Sequence, residues 1–221
     1  MDDADHQSDT GFLSARLRMV EQQLLRRDIY DQAVLDAMRI VARHEFVLPE
    51  DRAQAYGDHP LSIGYEQTIS QPYIVASMTQ ELRLTRSSRV LEIGTGCGYQ
   101  TAVLAEICGH VFSIECIPGL LADASDRLRR MGYTNITLHT GDGSLGWPEH
   151  APFDGILVAA AATDIPAPLL SQLADPGRMV IPVGAHLFNQ QLVLIEKKDG
   201  RLTRSELYGV RFVPLQTLSK N

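Results

Sequence analysis

The N-terminal part of the chain carries the spacing of amphipathic helices. Between residues 13 and 24, apolar residues recur in steps of four, three and four, which places them on one helical face. These residues are Leu13, Leu17, Val20 and Leu24. The same kind of spacing predicts a second helix over residues 31–41, and the prolines and glycines between positions 49 and 64 predict a loop-rich stretch.

From residue 73 onward, short apolar runs alternate with helical spacing. The predicted helices cover residues 73–84, 99–108, 118–132 and 166–173. The predicted strands cover residues 89–93, 110–115, 135–140, 155–159, 178–183, 192–196 and 207–213. Strands that alternate with helices of this length predict a parallel sheet covered on both faces, and two successive strands at the end predict a terminal hairpin. The expected fold is therefore a doubly wound α/β fold with a mixed sheet.

Composition and charge exclude several classes of protein. The hydrophobic fraction of the 221 residues is 44%, which is enough for a sizeable core, and no apolar run approaches the ~20 residues of a membrane helix. Residues 1–11 contain four Asp and predict a disordered acidic tail that lacks the features of a secretory signal. A net charge of −7 argues against a nucleic-acid partner. We therefore expect neither a membrane nor a nucleic-acid partner, and nothing demands a second domain.

The three cysteines, Cys97, Cys108 and Cys116, fit neither a disulfide framework nor a zinc site, because their number is odd and no CxxC pair is present. Each lies in an apolar stretch, which is typical of a buried thiol. We therefore expect no bound metal and a reducing, intracellular environment.

The loop after the first strand of the α/β part is rich in glycine. Residues 92–99 read EIGTGCGY, with Gly94, Gly96 and Gly98 at alternate positions. A tight strand-to-helix turn needs fewer glycines, so this spacing favours a ligand held close to the backbone. Tyr99 stands where a dinucleotide-binding loop has its third glycine, and the spacing is not that of a phosphate-binding P-loop either.

Two acidic positions extend this candidate site. Glu115 ends the second strand of the α/β part, 19 residues beyond Gly96, where a carboxylate can accept hydrogen bonds from both ribose hydroxyls. A solvated acid at a strand end is the alternative interpretation of Glu115. Asp142 and Gly143 follow the third strand, a position that can face adenine. Together these features indicate an adenosine ligand without a pyrophosphate, a description that S-adenosyl-L-methionine meets.

Beyond these features, the chain resembles a known family. Its segments LEIGTGCGYQTA (91–102) and QTISQPY (67–73) are similar to motifs of the protein-L-isoaspartate O-methyltransferase family. Further matches are PLSIG at 60–64, GDG at 141–143, APFD at 151–154, PGR at 176–178, PVG at 182–184 and VRFVPL at 210–215. The similarity runs from about residue 18 to residue 215. Many methyltransferases share the glycine loop, so QTISQPY is the more specific of the two motifs.

The resemblance implies a seven-stranded, mostly parallel sheet of the Rossmann-like methyltransferase type with an N-terminal helical layer. It implies a single domain of residues 12–221, with the N-terminal helices and active-site loop in 12–73 and the cofactor-binding core in 74–221. It further implies a cytoplasmic enzyme, expected to be a monomer, that repairs proteins and peptides by methylating the free carboxylate of L-isoaspartyl residues, with D-aspartyl residues left open as acceptors. S-adenosyl-L-methionine is the methyl donor and S-adenosyl-L-homocysteine the product.

The resemblance also assigns site residues. The hydroxyl-bearing active-site position of the family falls on Ser70, and Tyr73 is a further candidate for binding the substrate. The family's cofactor contacts fall on Thr68, Ile69, Ser70, Gln71, Gly94, Gly96, Gly98, Glu115, Asp142 and Gly143. Two positions depart from the family pattern. Glu66 stands where many relatives have Gly and could alter the entrance, whereas Gln216 stands where they have Thr and can still donate and accept hydrogen bonds.

The chemistry of such a transfer requires no catalytic base. An α-carboxyl group has a reference pKa of about 3.3–3.7, so it is ionised at neutral pH and can attack the sulfonium methyl group directly. The site has to align the two reactants and exclude water. Ser70 can donate a hydrogen bond to one carboxylate oxygen while the other oxygen attacks. Considered alone, Ser70 could instead cap the helix that begins near residue 72.

Two other functions stay open at the level of the sequence. The chain could methylate an ordinary aspartate of a dedicated peptide, or a small molecule. It could also bind the cofactor without catalysing a reaction. The glycine loop, Glu115 and the QTISQPY segment weigh against this last function.

Overall fold

The computed structural model describes residues 3–185 and 189–216, with side chains from residue 10 onward. The chain divides into two compact units, residues 1–80 and 81–221. This division falls near the end of helix α3 (Pro72–Glu81), so that helix lies almost entirely in the first unit.

The first unit begins with helices. They are α1 (Asp3–Met19), a π-helical segment (Val20–Leu25), α2 (Gln32–Ile40) and two 3-10 helices at Arg43–Glu45 and Pro49–Gln54. Asp31 caps α2, because its carboxylate accepts hydrogen bonds from the backbone N–H groups of Ala33 and Val34 at 2.9 and 3.3 Å. The start of the second predicted helix is therefore fixed by the side chain of Asp31, the first residue of the predicted range.

The start of α1 differs from the prediction. The sequence predicts a disordered tail over residues 1–11 and a helix only from residue 13, whereas α1 begins at Asp3. Once a helix has nucleated, each further residue adds a hydrogen bond at little cost, so a helix can extend beyond its amphipathic residues. Residues 1 and 2 of the predicted tail lie outside the described residues.

A small hairpin occupies part of the stretch that the sequence predicts as a loop. Strands β1 (Leu61–Gly64) and β2 (Gln67–Ile69) pair antiparallel. The two loop residues, Tyr65 and Glu66, have φ angles of 53° and 57°, the positive values that a type I′ turn requires. Such turns usually contain Asn or Gly, so this hairpin lacks a recognisable turn signal in the sequence.

The second unit is built on a seven-stranded sheet. Its strands are β3 (Arg89–Ile93), β4 (His110–Glu115), β5 (Ile136–Thr140), β6 (Phe153–Val158), β7 (Leu173–Val183), β8 (Gln190–Lys198) and β9 (Arg201–Val210). Its helices are α4 (Tyr99–Ile107), α5 (Pro118–Arg130) and α6 (Ala167–Gln172), with 3-10 segments at Gly143–Leu145 and Pro148–His150.

The strand order of this sheet is β5-β4-β3-β6-β7-β8-β9. Strands β3 to β7 pair in parallel, and β8 and β9 are antiparallel to their neighbours. The predicted mixed sheet with a terminal hairpin is confirmed. The chain runs outward from β3 to β5 and then returns to β6, so the winding direction changes between β3 and β6. Ligands of such sheets bind at the carboxyl ends of the strands near this point.

Helices cover both faces of the sheet. On one face, Leu91 and Ile93 of β3 belong to a buried apolar cluster that includes Leu169 of α6. On the other face, Glu92 accepts a hydrogen bond from the side chain of Thr101 in α4. Because successive side chains of a strand point to opposite faces, α4 and α6 lie on opposite sides of the sheet. The predicted doubly wound arrangement is therefore confirmed.

Two strands begin earlier than the sequence predicts. Strand β7 begins at Leu173 rather than at residue 178, and its first part contains Asp175, Pro176 and Gly177, which are uncommon in strands. Strand β9 begins at Arg201 rather than at residue 207, and residues 201–206 are exposed and mostly polar. Neither segment shows an apolar run. In the part of the chain that the structure describes, no helix is long and apolar enough to cross a bilayer.

Candidate active site

The loop between β3 and α4 contains three glycines in the left-handed region. The φ angles of Gly94, Gly96 and Gly98 are 93°, 53° and 89°, values that residues with a Cβ rarely adopt. A Cβ atom on Gly98 would also lie 3.2 Å from Cδ1 of Leu128, so space is restricted there. The N–H of Gly94 donates to the carbonyl of Ile114 at 2.8 Å, which ties the loop to β4. The loop therefore follows a path along the carboxyl edge of the sheet that requires glycine.

Glu115 joins this loop from the end of β4. Its Oε2 accepts a hydrogen bond from the N–H of Gly96 at 2.9 Å, and its Oε1 accepts one from the N–H of Ile117 at 3.0 Å. Only 5% of the residue is exposed, so the alternative of a solvated strand-end acid is wrong. An ionised carboxylate has about four acceptor positions. Glu115 therefore retains acceptor capacity for hydroxyl groups of a ligand.

Asp142 and Gly143 lie after β5 at the same edge. The N–H of the preceding residue, Gly141, donates to the carbonyl of Glu115 at 3.0 Å. The Oδ1 atom of Asp142 accepts hydrogen bonds from the N–H and the hydroxyl of Ser144 at 2.9 and 2.7 Å. A Cβ atom on Gly143 would lie 2.2 Å from Cγ2 of Ile93, so this glycine allows close packing against β3. The turn that carries both residues is thus fixed to β3 and β4.

The segment with the predicted catalytic residue lies in the first unit. Thr68 and Ile69 end strand β2, and Ser70 and Gln71 connect it to α3. Thr68 is exposed, Ile69 is buried, and Ser70 and Gln71 are half-buried. The carbonyl of Gln71 accepts a hydrogen bond from the N–H of Val75 at 3.2 Å. Ser70 therefore occupies a short connection held at one end by a hairpin and at the other by a helix.

Tyr73 contacts three residues of the first unit, Asp28, Asp58 and Arg27. Its hydroxyl donates to Oδ1 of Asp28 at 2.8 Å, and its N–H donates to Oδ1 of Asp58 at 3.2 Å. The guanidinium of Arg27 lies 3.3 Å from the ring centroid and also pairs with Asp58 at 2.8 Å. Burial and the hydrogen bond to Asp28 raise the pKa of the Tyr73 hydroxyl. These contacts fix the start of α3, and the predicted role of Tyr73 in substrate binding stays a prediction.

The structure thus places the predicted site residues in two groups. The second unit brings together the glycine loop, Glu115 and the turn at residues 142–143 at one edge of its sheet. The first unit holds residues 68–71 and Tyr73 between its hairpin and α3.

The chain also matches a known protein family. The profile of the family described as Protein-L-isoaspartate(D-aspartate) O-methyltransferase (PCMT) matches residues 15–220. The chain belongs to the protein-L-isoaspartate O-methyltransferase family. The match includes both groups of predicted site residues, and not the glycine loop alone.

Individual relatives of this methyltransferase are similar over most of their length. Protein-L-isoaspartate O-methyltransferase 1 of Syntrophobacter fumaroxidans is 55% identical over 204 residues, which cover 92% of this chain and 95% of that protein. The enzyme of the same name from Opitutus terrae is 56% identical over 199 residues, covering 90% and 85%. A crystal structure of such a methyltransferase from Plasmodium falciparum, in complex with S-adenosyl-L-homocysteine, has a TM-score of 0.79 at 27% identity and covers 91% of this chain and 98% of that one.

Membership of the family confirms four predictions. These are the family itself, the methyltransferase class, the Rossmann-like seven-stranded fold and the cofactor S-adenosyl-L-methionine. The roles of individual site residues and the bounds of the predicted domain stay predictions.

The residues of the methyltransferase fit this cofactor. Glu115 is a buried carboxylate with remaining acceptor capacity beside a loop that requires glycine. A second carboxyl oxygen near the loop, Oε1 of Glu92, is buried without a hydrogen-bond partner, as expected of a group that awaits a donor from a ligand. Among the described residues, no group of three His, Cys, Asp or Glu side chains is placed to hold a metal ion.

The structure also shows a polar network that the sequence analysis missed. The hydroxyls of Thr101 and Ser113 both donate to Oε2 of Glu92 at 2.6 Å, and the hydroxyl of Thr95 lies 2.6 Å from that of Ser113. All four residues are buried. One signal for this network was present in the sequence, because Glu92 is a charged residue type between the apolar residues Leu91 and Ile93, directly before the glycine loop.

Proposed function

We propose that this chain transfers the methyl group of S-adenosyl-L-methionine to the free carboxylate of L-isoaspartyl residues in damaged proteins and peptides. The observation that carries the proposal is the family match over residues 15–220, which includes the segment QTISQPY as well as the glycine loop. The glycine loop alone would be compatible with many acceptors. D-aspartyl residues, named in the family description, are a second acceptor to test.

The cofactor supplies a methyl group on a positively charged sulfur. In the proposed site the backbone of Gly94, Gly96 and Gly98 would border the cofactor, Glu115 would accept hydrogen bonds from its ribose hydroxyls, and the turn at residues 142–143 would contact its adenine. These roles are supported by the buried, hydrogen-bonded position of Glu115 and by the attachment of the 142–143 turn to β3 and β4. The resemblance adds Thr68, Ile69, Ser70 and Gln71 as further candidate cofactor contacts.

Ser70 holds the acceptor in this proposal. The substrate carboxylate is ionised at neutral pH and needs no base, so the contribution of the chain is to orient it and to keep water away. The hydroxyl of Ser70 donates to one carboxylate oxygen and leaves the other oxygen free to attack. A hydroxyl suits this task because, unlike a Lys or Arg, it does not neutralise the charge of the nucleophile. Tyr73, which packs at the start of α3, borders the same segment.

Replacement of Ser70 tests the proposal. Hydrogen bonds to charged groups contribute about 1.5–3 kcal/mol, so Ser70→Ala should lower kcat for an isoaspartyl peptide by at least about tenfold, while the Kd for S-adenosyl-L-methionine, measured by calorimetry, changes little. Ser70→Thr keeps the hydroxyl and should recover part of the activity. A matched peptide with ordinary aspartate at the same position should accept no methyl group.

Ser62→Ala is the matched control. Ser62 lies on strand β1 of the same hairpin, is exposed, and has no role in the proposed site. Its replacement should leave kcat unchanged. Full activity of Ser70→Ala would remove Ser70 from the mechanism. Transfer to the aspartyl peptide without transfer to the isoaspartyl peptide would replace the proposed function with methylation of ordinary aspartate.

We further propose that the enzyme works as a monomer in the cytoplasm, without a nucleic-acid or membrane partner. The net charge of −7 opposes binding to nucleic acid. All three cysteines are free thiols, which is typical of proteins in reducing compartments. Light scattering after size-exclusion chromatography tests the first point, and a mass of about twice 24.4 kDa would contradict it.

A further inference from the structure

Helix α3 takes the cap at its start from a residue outside the helix. Oδ1 of Asp58 accepts a hydrogen bond from the N–H of Tyr73 at 3.2 Å, across 15 positions of the chain. Pro72, the first residue of α3, has no N–H, so Tyr73 carries the first N–H of the helix. The residue before Pro72 is Gln71, which is not among the residue types that usually cap helices. Asp58 therefore supplies the cap that the local sequence lacks.

Arg27 holds the carboxylate of Asp58 in this position. Its Nη1 donates to the other carboxyl oxygen, Oδ2, at 2.8 Å. The same guanidinium lies 3.3 Å from the centroid of the Tyr73 ring. One cation therefore contacts both the capping carboxylate and the residue that is capped. A negative charge at the start of a helix is favourable as well, so the arrangement suits an acid at position 58.

Ser70 is the residue that would otherwise be placed to cap α3. It precedes Tyr73 by three residues, the spacing at which a Ser hydroxyl accepts a backbone N–H at the start of a helix. In the structure the N–H of Tyr73 donates to Asp58 instead. A capping hydroxyl is held against the end of the helix, and its side chain cannot turn elsewhere without breaking the cap. Because Asp58 performs this task, the hydroxyl of Ser70 stays available to a ligand.

We propose that Asp58 is a positioning residue for the methyl transfer: it caps α3 in place of Ser70 and thereby leaves the Ser70 hydroxyl directed to the acceptor carboxylate. This inference rests on the proposed function, in which Ser70 holds the acceptor. Asp58 itself contacts neither the acceptor nor the cofactor, and acts through the orientation of Ser70. Arg27 supports it by holding the second carboxyl oxygen.

Hydrogen exchange at the amide of Tyr73 tests the assignment of the cap without turnover. Ser70→Ala should leave the protection of this amide unchanged, because Asp58 remains as its acceptor. Asp58→Ala should lower the protection, and the double variant should lower it further, because neither cap is then left. Loss of protection in Ser70→Ala alone would overturn the proposal, since Ser70 would then be the cap. This arm needs no variant of Asp58 that folds.

Kinetics test the consequence for the reaction. Asp58→Ala should lower kcat for an isoaspartyl peptide by about fivefold or more, because Ser70 turns to the helix. The two changes should not add, so the double variant should have the kcat of Ser70→Ala. Asp58→Asn keeps an acceptor oxygen and should keep kcat within about twofold of the unaltered protein. The Kd for S-adenosyl-L-homocysteine should change little in all of them. Additive losses would overturn the proposal, because Asp58 would then act independently of Ser70.

Asp31→Ala is the matched control. Asp31 caps helix α2 of the same unit through the N–H groups of Ala33 and Val34. Its replacement also removes a helix cap and should lower the free energy of unfolding, but it should leave kcat unchanged. An equal loss of kcat in Asp31→Ala and Asp58→Ala would overturn the proposal, because stability alone would explain both. If the unaltered chain does not methylate the isoaspartyl peptide, the proposed function fails, whereas exchange at Tyr73 still decides which residue caps α3.

Discussion

The glycine loop after β3 and the hairpin β1–β2 both contain residues in the left-handed region, but they contain different residue types. In the loop these residues are Gly94, Gly96 and Gly98, whereas at the hairpin tip they include Tyr65 and Glu66. The left-handed conformation costs roughly 1–2 kcal/mol for a residue with a Cβ. The loop avoids this cost, and the hairpin incurs it twice.

The surroundings explain the difference. A Cβ atom on Gly98 would press on Leu128, whereas a Cβ atom on Gly64, at the edge of the hairpin turn, would meet nothing within 4 Å. Tyr65 is 56% exposed. The loop region therefore restricts both the backbone angle and the space for side chains, and the hairpin restricts the angle alone. We infer that the hairpin can vary in sequence and thereby tune function, whereas the loop region cannot.

A second hairpin has a turn whose residues are well suited to the left-handed conformation. The β8–β9 turn has Asp199 and Gly200 at φ angles of 52° and 73°, a residue pair that is common in type I′ turns. Both N–H groups of this turn donate to the carboxylate of Asp175, at 2.9 and 2.6 Å. The Tyr65–Glu66 turn has the same signs of φ without this composition. Strained backbone concentrates at functional sites. The strained turn at Tyr65 and Glu66 lies shortly before Ser70, in agreement with this tendency.

The largest expected effect is on the pH dependence of stability, and it comes from Glu92, the buried acid directly before the glycine loop. Because burial raises the pKa of Glu92 to about 8, the folded protein keeps a proton that the unfolded chain releases above its ordinary pKa of about 4.3. The protonated Glu92 therefore contributes to the free energy of unfolding. That contribution is complete at a pH below the pKa of Glu92 in the unfolded chain. It is lost as the pH rises through about 8, by up to ~1.4 kcal/mol per pH unit. Relative to the unaltered protein, Glu92→Gln should become more stable as the pH rises from 5 to 8 in urea unfolding.

Glu66→Gln supplies the control from the hairpin. Glu66 is exposed, so its replacement should leave the slope of stability against pH unchanged. If the free energy of unfolding had the same slope against pH in Glu92→Gln and in the unaltered protein, Glu92 would not be a neutral acid in the folded state.

The next prediction tests steric crowding at a glycine whose φ angle lies outside the left-handed region. Gly143→Ala would place a Cβ atom 2.2 Å from Cγ2 of Ile93, a β-branched side chain with little freedom to move. Overpacking of this kind costs about 1–3 kcal/mol, and we expect weaker binding of S-adenosyl-L-homocysteine in calorimetry. Gly141→Ala, whose Cβ would lie 3.0 Å from the ring of the exposed His139, is the matched control with a smaller expected loss. Equal stability losses in the two variants would show that packing against β3 is not the limiting factor.

A third pair of variants separates the strain of a left-handed backbone angle from the crowding of an added Cβ atom. Gly98 and Gly132 have φ angles of 89° and 84°, but a Cβ atom would be crowded only at Gly98. Both Ala variants should lose about 1 kcal/mol from the backbone angle. Only Gly98→Ala should also lose cofactor affinity. Normal affinity in Gly98→Ala would mean that the loop tolerates a side chain after all.

The smallest effect is expected at the hairpin tip. Glu66→Gly should increase the free energy of unfolding by about 1 kcal/mol, because glycine adopts the left-handed region without strain. Asp199→Gly should gain less, since Asp tolerates this conformation better than Glu. Urea unfolding measures both, and the KM for an isoaspartyl peptide shows whether Glu66 affects the acceptor. A loss of stability in Glu66→Gly would show that the side chain makes a contact that outweighs the strain.

Much of the second unit could be predicted from its sequence. Strands β3 and β4 have the predicted bounds, since each is a short apolar run closed by a turn. The hairpin β1–β2 could not be predicted, because Tyr65 and Glu66 give no turn signal. The early starts of β7 and β9 were missed as well, because pairing with a neighbouring strand holds residues there that have low strand propensity.

The same division holds for the candidate site. The residue types and their spacing were enough to indicate the glycine loop, Glu115, the turn at residues 142–143 and, through the family resemblance, Ser70. The contacts of Tyr73 with Asp28, Asp58 and Arg27 were not predictable, since they join residues far apart in the chain.

By itself the sequence determined the alternation of strands and helices, the need for glycine after β3 and the family, because these depend on local spacing and residue type. Only the tertiary structure decided the state of Glu92. The strand pattern shows an acid among apolar residues, but the donors come from β4 and α4. Both donors reach one oxygen and the other oxygen is left buried without a partner, and this follows from the packing of three separate segments.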